Sequence, residues 1–288
     1  MRINHNISSM SASSALSITN REMSKSLEKL STGLRINRAS DDAAGLAISE
    51  NLRAQVRGVA QAQRNAMDGT ALLQVAEGAT NEISEILQRM RELAIQSAND
   101  TLTSTERNYT NQEFEALRTE IDRIAEVTNY NGMSLISSGG GAAERFGTVD
   151  ATTNNSFWID SNSQVGIDSM TVTLETMTVS QLSTSLSTGS LTSQATAASA
   201  ISDIDVAMNS VNSSRAKIGA YINRLEHAIN NLMVSETNQQ AAESMIRDVD
   251  FANETARFSR SQILMQSGTA MLAQSNMTSQ SVLALISR

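Results

Sequence analysis

Apolar residues recur along this chain at alternating steps of three and four, at both ends but not in the middle. The longest row is Ile201, Ile204, Met208, Val211, Arg215, Ile218, Ile222, Leu225, Ile229 and Leu232, with Arg215 its one charged member. Such a row is the seam of a helix packed lengthwise on other helices. Similar rows in the N-terminal half predict that the two ends pack on each other. The middle then protrudes, the termini lie together, and paired sticky termini point to assembly more than to chemistry.

Leu16, Met23, Leu27, Leu30 and Leu34 predict a first helix over about 8–33. Ser40-Asp41-Asp42 next offers a capping hydroxyl and two carboxylates where a helix start favours negative charge. A second helix is expected from Ala43 to about Asn99, with the seam Leu52, Val56, Val59, Ala66, Leu73, Ile83, Ile86, Met90 and Leu93. If unbroken, roughly 55 residues at 1.5 Å each make a rod about 80 Å long. Thr103 and Glu106 form a capping box that opens a third helix. That helix carries Phe114, Leu117, Ile121 and Ile124, and stops at the turn Asn129-Tyr130-Asn131-Gly132.

From Ser137 to about Ala195 the pattern changes. Gly139–Gly141 reads as a joint, since it lacks the Lys-Ser/Thr of a phosphate loop. Phe157 and Ile159, then Met170, Val172 and Leu174, alternate with polar residues and predict two short strands. The Ser/Thr-rich run 178–199 reads as an exposed loop, with room for O-linked sugars. After Leu232 the repeat fades, Arg247-Asp248-Val249-Asp250 marks a change, and an amphipathic tail helix carries Phe258, Met265, Leu272, Val282, Leu283, Leu285 and Ile286. The expected fold class is mainly α: a long coiled-coil-like helical bundle formed by both chain ends, with a small β-hairpin insertion in the middle.

Composition supports helices over a compact core. Of 288 residues, only one Trp, three Tyr and five Phe are aromatic, so burial falls to Ala, aliphatics and fourteen Met. No proline interrupts a helix, and no cysteine supports a disulfide framework or a thiolate metal site. Net charge of -8, with lysine only at 25, 29 and 217, gives no basic stripe for nucleic acid. The N-terminus lacks a signal peptide's apolar run, and no stretch approaches the roughly 18 apolar residues of a membrane span. On these grounds alone the default compartment is the cytoplasm.

Catalytic material is sparse. His5 and His227 are the only histidines, and His227 beside Glu226 reads as a surface side chain. Asp41-Asp42 reads as a helix-start device. No nucleophile, base or metal constellation appears, and no cofactor is expected. The Asn-x-Ser/Thr sites at Asn108 and Asn212 fall on predicted helices, where chance accounts for them. Arg215 either faces a carboxylate or sits at the seam edge with its stem buried; edge placement is the expectation.

Three segments resemble bacterial flagellins. The first runs Leu30-Ser-Thr-Gly-Leu-Arg-Ile-Asn-Arg-Ala-Ser-Asp-Asp-Ala-Ala-Gly-Leu-Ala-Ile-Ser-Glu50, and the second Leu87-Gln-Arg-Met-Arg-Glu-Leu-Ala-Ile-Gln-Ser-Ala-Asn99. The third joins Ile218-Gly-Ala-Tyr-Ile-Asn-Arg-Leu-Glu226 to Ile263-Leu-Met-Gln-Ser-Gly-Thr-Ala-Met-Leu-Ala-Gln-Ser-Asn276. The likeness covers about 1–136 and 200–288. The chain departs from it at Met245, where the family often has Arg, and near Thr278, where proline is common. A short middle implies a flagellin without large outer domains.

The resemblance implies a non-enzymatic subunit exported unfolded through the flagellar type III channel, against the cytoplasmic default. It implies self-assembly into an extracellular filament beneath a cap protein, with hook–filament junction proteins and an export chaperone as further partners. The implied parts are a filament core from 1–44 and 251–288, a helical rod from 45–136 and 196–250, and an insertion at 137–195. Assembly candidates are Leu27, Leu30 and Leu34 at one end and Leu272, Leu283 and Ile286 at the other. Arg89, Leu93 and Glu113 match residues by which some flagellins engage Toll-like receptor 5: Arg89 by hydrogen bonding, Leu93 by apolar contact, Glu113 from the facing helix. A hook–filament junction protein is the nearest rival, and a cytoplasmic coiled-coil adaptor the rival from another class.

Overall fold

The computed structural model describes residues 6–137, 146, 155–161 and 168–286. The chain divides into two compact units, one of residues 1–56 and 237–288 and the other of 57–236. The helices α1 (Ile7–Thr32), α2 (Ala43–Ser97), α3 (Ser104–Val127), α6 (Gln194–Arg247) and α7 (Phe251–Ile286) dominate it, α2 and α6 each contributing to both units. Both chain ends are helical and a small antiparallel strand region lies in the middle, as the apolar pattern predicts.

In the first unit, local chemistry sets each boundary. Asn6 accepts the Ser9 N–H at 3.1 Å to start α1. Gly33, at φ 73°, ends it by returning its N–H to Lys29. Asp42 caps α2 by accepting the Gly45 N–H at 2.9 Å, while Asp41 turns back to the Asn37 and Arg38 amides. The carboxylates therefore serve the helix start as expected, by separate bonds. Leu34 then bridges antiparallel to Asp248, with Arg35 donating to the Arg247 carbonyl and Val249 to that of Gly33. This backbone clasp joins the α1–α2 turn to the α6–α7 turn. Arg53–Glu243 at 2.8 Å reinforces it, as does an Arg247–Glu50 pair.

The second unit holds a continuous core. Leu73, Ile83, Leu87, Met90 and Leu93 of α2 are fully or almost fully buried, with Phe114 and Ile121 of α3 and Ile204, Val211, Ile218 and Leu225 of α6. The capping box is formed: Thr103 accepts the Glu106 N–H, and Glu106 accepts that of Thr103. Arg107 reaches back to the carbonyls of Ser97 and Asn99, both at 3.0 Å, and so satisfies the end of α2.

The middle differs from expectation. The turn at Asn131-Gly132 is the tip of a hairpin, β1 (Asn129–Tyr130) with β2 (Met133–Ser134), both tip residues having positive φ as a type I′ turn needs. The predicted strand pair is real but short: β3 (Ser156–Trp158) with β4 (Ser169–Thr171). The joint at Gly139–Gly141 lies outside the described residues. The expectation of an exposed 178–199 loop is corrected. Val179, Leu182, Leu186 and Leu191 are buried in the core, around the short helices α4 (Val179–Leu182) and α5 (Thr184–Thr188), and α6 already begins at Gln194. Polar residues of α3 hold this segment. Asp122 accepts the Val179 N–H, Asn111 that of Leu191, and Arg118 donates to the Gly189 carbonyl. Arg215 is half-buried, and its Nε finds no partner among the described residues, which fits the seam edge.

Candidate assembly surface and charged patch

The chain ends meet as an antiparallel helix pair, along which Leu16, Met23 and Leu30 of α1 and Phe258, Met265 and Leu272 of α7 are half-buried. Ser26 of α1 hydrogen-bonds Glu254 of α7; further along, Leu16 Cδ1 lies 3.0 Å from where a Cβ on Gly268 would stand. At the far end Asn6 donates to the Ser275 carbonyl at 3.2 Å, and Ser9 to Asn276 Oδ1 at 3.0 Å. Among the described residues, Ser26, Glu254 and Ser261 are the only buried side chains of α1 and α7. Several other large apolar side chains are exposed: Ile7, Met10, Ile18 and Leu27 on α1, and Phe251, Ile263, Leu264, Met271 and Met277 on α7.

Apolar area left in water is free energy not yet gained, at roughly 25 cal/mol per Å². Large apolar side chains left in water along both helices of a pair point to an interaction surface. Of the expected assembly residues, Leu27 is 57% exposed on this face, while Leu30, Leu34 and Leu272 are half-buried. Leu34 takes part in the backbone clasp. The Leu283 and Ile286 side chains lie outside the described residues. Ile263, Leu264 and Met271 were missed, although Leu264 and Met271 are one heptad apart.

Arg89, on α2, bonds Glu113 of α3 at 2.8 Å and Glu92 at 3.0 Å. The Glu113 hydrogen bond, then that of Glu92, raises the guanidinium pKa further above its ordinary value. Arg89 and Glu113 are thus brought together at the surface. Leu93 is not with them. At 2% exposure it is a core residue, as the α2 seam that it shares with Met90 predicts. On the other side of the same turn, Gln88, Arg91, Glu92, Ile95, Asp205 and Met208 line an open groove of about 450 Å³. Arg91 and Asp205 pair across it at 2.8 Å.

Nothing here assembles a reaction centre. His227 is exposed on α6, His5 lies outside the described residues, and no group of three or more candidate metal ligands occurs among the described residues. Asp41 has its pKa lowered, first by the Arg38 amide, as befits a turn-forming carboxylate. No helix among the described residues is long and apolar enough to cross a membrane.

The family comparisons agree with this arrangement. Residues 3–139 match the bacterial flagellin N-terminal helical region and 201–286 the C-terminal helical region. The chain is 45% identical to a flagellin of Halalkalibacterium halodurans, covering 99% of this chain and all of that protein. It is 44% identical to the flagellar filament 33 kDa core protein of Treponema phagedenis, with the same coverage. A solved structure from Vibrio parahaemolyticus, provisionally described as a flagellar hook-associated protein, shares the fold at TM-score 0.55 and 19% identity, over 72% of this chain and 99% of that one. With both terminal regions matched and full-length identity this high, the chain belongs to the bacterial flagellin family.

Proposed function

We propose that this flagellin polymerises by burying the outward apolar face of its α1–α7 pair against neighbouring copies. As a flagellin it is a structural subunit of the extracellular flagellar filament, and motility follows from that role. The family is structural, not catalytic. The exposed apolar residues support the specific reading: Leu27, Ile263, Leu264 and Met271 remain in water although α1 and α7 are already paired. Repeating such a contact head to tail without ring closure generates a filament. In this reading 1–44 and 251–288 form the filament core, 45–136 and 196–250 the rod, and 137–195 the insertion. Leu30, Leu34 and Leu272 line the margin of this face, and Leu283 and Ile286 are assigned to the same assembly by the family likeness.

The same face accounts for the other partners. An exported chain with an uncovered apolar end needs a chaperone before the type III channel. A cap protein then holds each arriving subunit until neighbours cover it. Hook–filament junction proteins would meet the first ring of subunits through similar paired helices. The test is polymerisation of purified full chain against a chain lacking 258–288 and against Leu27→Arg, read by electron microscopy. Tubular filaments are expected from the first alone; normal filaments from either variant overturn the role of the pair.

A second reading rests on the Arg89–Glu113 pair. Two exposed, mutually oriented groups on adjacent helices form a rigid polar patch of the kind that Toll-like receptor 5 would engage, with Leu93 setting the patch's height from beneath. Receptor-bearing reporter cells should respond to monomer and lose response to Arg89→Ala; silence towards the unmodified monomer would remove this reading.

A further inference from the structure

We propose that the α1–α7 face is a methionine-oxidation site, at which peroxide-class oxidants convert Met10, Met271 and Met277 of the free subunit to sulfoxides and so block its assembly. The inference rests on the assembly reading above. The chain has no cysteine, so methionine is its only sulfur chemistry. Met90 and Met177 are fully buried; Met245 on α6 is 84% exposed, and on the α1–α7 pair Met10 is 67% and Met271 and Met277 are each 62% exposed.

These three thioethers lie near the same end of the helix pair. Ser8 and Ser9 of α1 hydrogen-bond Ser275 and Asn276 of α7, both at 3.0 Å. Met10 follows Ser9, Met277 follows Asn276, and Met271 lies one helical turn before Ser275. All three therefore lie within about two turns of the polar contacts that join the two helices there.

The chemistry balances without a cofactor. The thioether sulfur attacks one oxygen of hydrogen peroxide, the O–O bond breaks and an S–O bond forms. The second oxygen takes up a proton released from the first and leaves as water. Sulfur gives up two electrons and the peroxide accepts them. A flexible apolar side chain becomes a polar one bearing a strong acceptor oxygen. Burying that oxygen against a neighbour's apolar side chains leaves it unsatisfied, so a sulfoxide-bearing subunit packs poorly. Subunits already packed shield the same sulfurs, which makes the free subunit the vulnerable form.

The experiment treats full-length monomer with hydrogen peroxide, maps sulfoxides by peptide mass spectrometry, and measures sedimentable filament. Loss of filament is expected for the unsubstituted chain, together with recovery after methionine sulfoxide reductase treatment. The triple variant Met10→Leu, Met271→Leu, Met277→Leu should polymerise after peroxide as it does before. Peroxide-treated chain that carries all three sulfoxides yet polymerises fully overturns the proposal; so does a triple variant that remains equally sensitive. If the triple variant cannot polymerise at all, reductase recovery of the unsubstituted chain decides, and no recovery overturns the proposal. Oxidation of these three methionines as fast in finished filaments as in monomer is a different failure, since it sinks the assembly reading itself.

Discussion

Ser26 on α1 donates its hydroxyl proton to the Glu254 carboxylate on α7, and both side chains are buried. A buried carboxylate is an unusual centre for a helix seam. Among the described residues its charge is otherwise met by Arg257 at 3.7 Å, whose side chain is largely in water. The bond therefore fixes how α1 and α7 meet more than it drives their meeting.

Removing the hydroxyl alone should be costly. Ser26→Ala leaves the carboxylate short of a partner, at about 1–3 kcal/mol. Adding Glu254→Leu should return much of that loss, because both polar groups are then gone. Thermal unfolding followed by helical circular dichroism reads both. A harmless Ser26→Ala would show that the bond does not hold the pair.

Two glycines on α2 receive the β3–β4 hairpin, and a third does not. A Cβ on Gly58 would lie 2.7 Å from Ser161 Cβ, and one on Gly69 would lie 3.1 Å from the Phe157 ring; Gly78 has open space around it. Gly78→Ala should stabilise by about 0.5–1 kcal/mol, the helix gain with nothing opposing it. Gly58→Ala should lose about 1–3 kcal/mol, as overpacking against the Ser161 backbone outweighs that gain. Gly69→Ala has a more specific signature. Trp158, the single tryptophan, adjoins Phe157, so its emission should shift to the red as the hairpin lifts. Unchanged emission would mean that the hairpin is not seated through Gly69.

Acid should loosen two helix starts. Hydrogen bonds from Thr103, its backbone N–H first, lower the Glu106 pKa from its ordinary 4.5. The Asn253 amide, the largest cause, lowers that of Asp250 from 3.8 at the start of α7. A carboxylate with a depressed folded-state pKa contributes stability above its unfolded value and loses it as pH falls through the folded value. Both contributions should thus be complete at neutral pH and fade below 4.5 and 3.8 respectively. Asp250→Asn keeps a capping oxygen but cannot titrate, so its melting temperature should fall less steeply in acid. An identical acid slope for both chains would contradict the assignment.

Much of this molecule was legible because its helices announce their ends. Thr103 with Glu106, Gly33 and the Asp41-Asp42 pair mark boundaries that backbone bonding then obeys. The 178–199 run was misread for a physical reason. Val179, Leu182 and Leu186 stand at helical spacing, but hydroxyl side chains surround them and favour turns. What secures the segment lies far away in sequence, at Asn111, Arg118 and Asp122, where no local pattern records it. Leu93 shows what periodicity can do that a motif cannot: the α2 seam places it inward, and it is buried, whereas matching a motif residue by residue says nothing of which way α2 is turned. The α1–α7 face was half legible. Leu27 was found, but Ile263, Leu264 and Met271 were not, since these helices carry more large apolar side chains than one seam takes in and no repeat marks the surplus.

Backbone hydrogen exchange of α1 and α7, compared between monomer and filament, is the most direct measurement. If the outward face is buried between copies, amides across 7–32 and 251–286 should exchange far more slowly in the filament, with smaller changes around the already buried core of 83–94. Intact filaments whose α1 and α7 amides exchange as fast as in the monomer would contradict burial of this face on assembly.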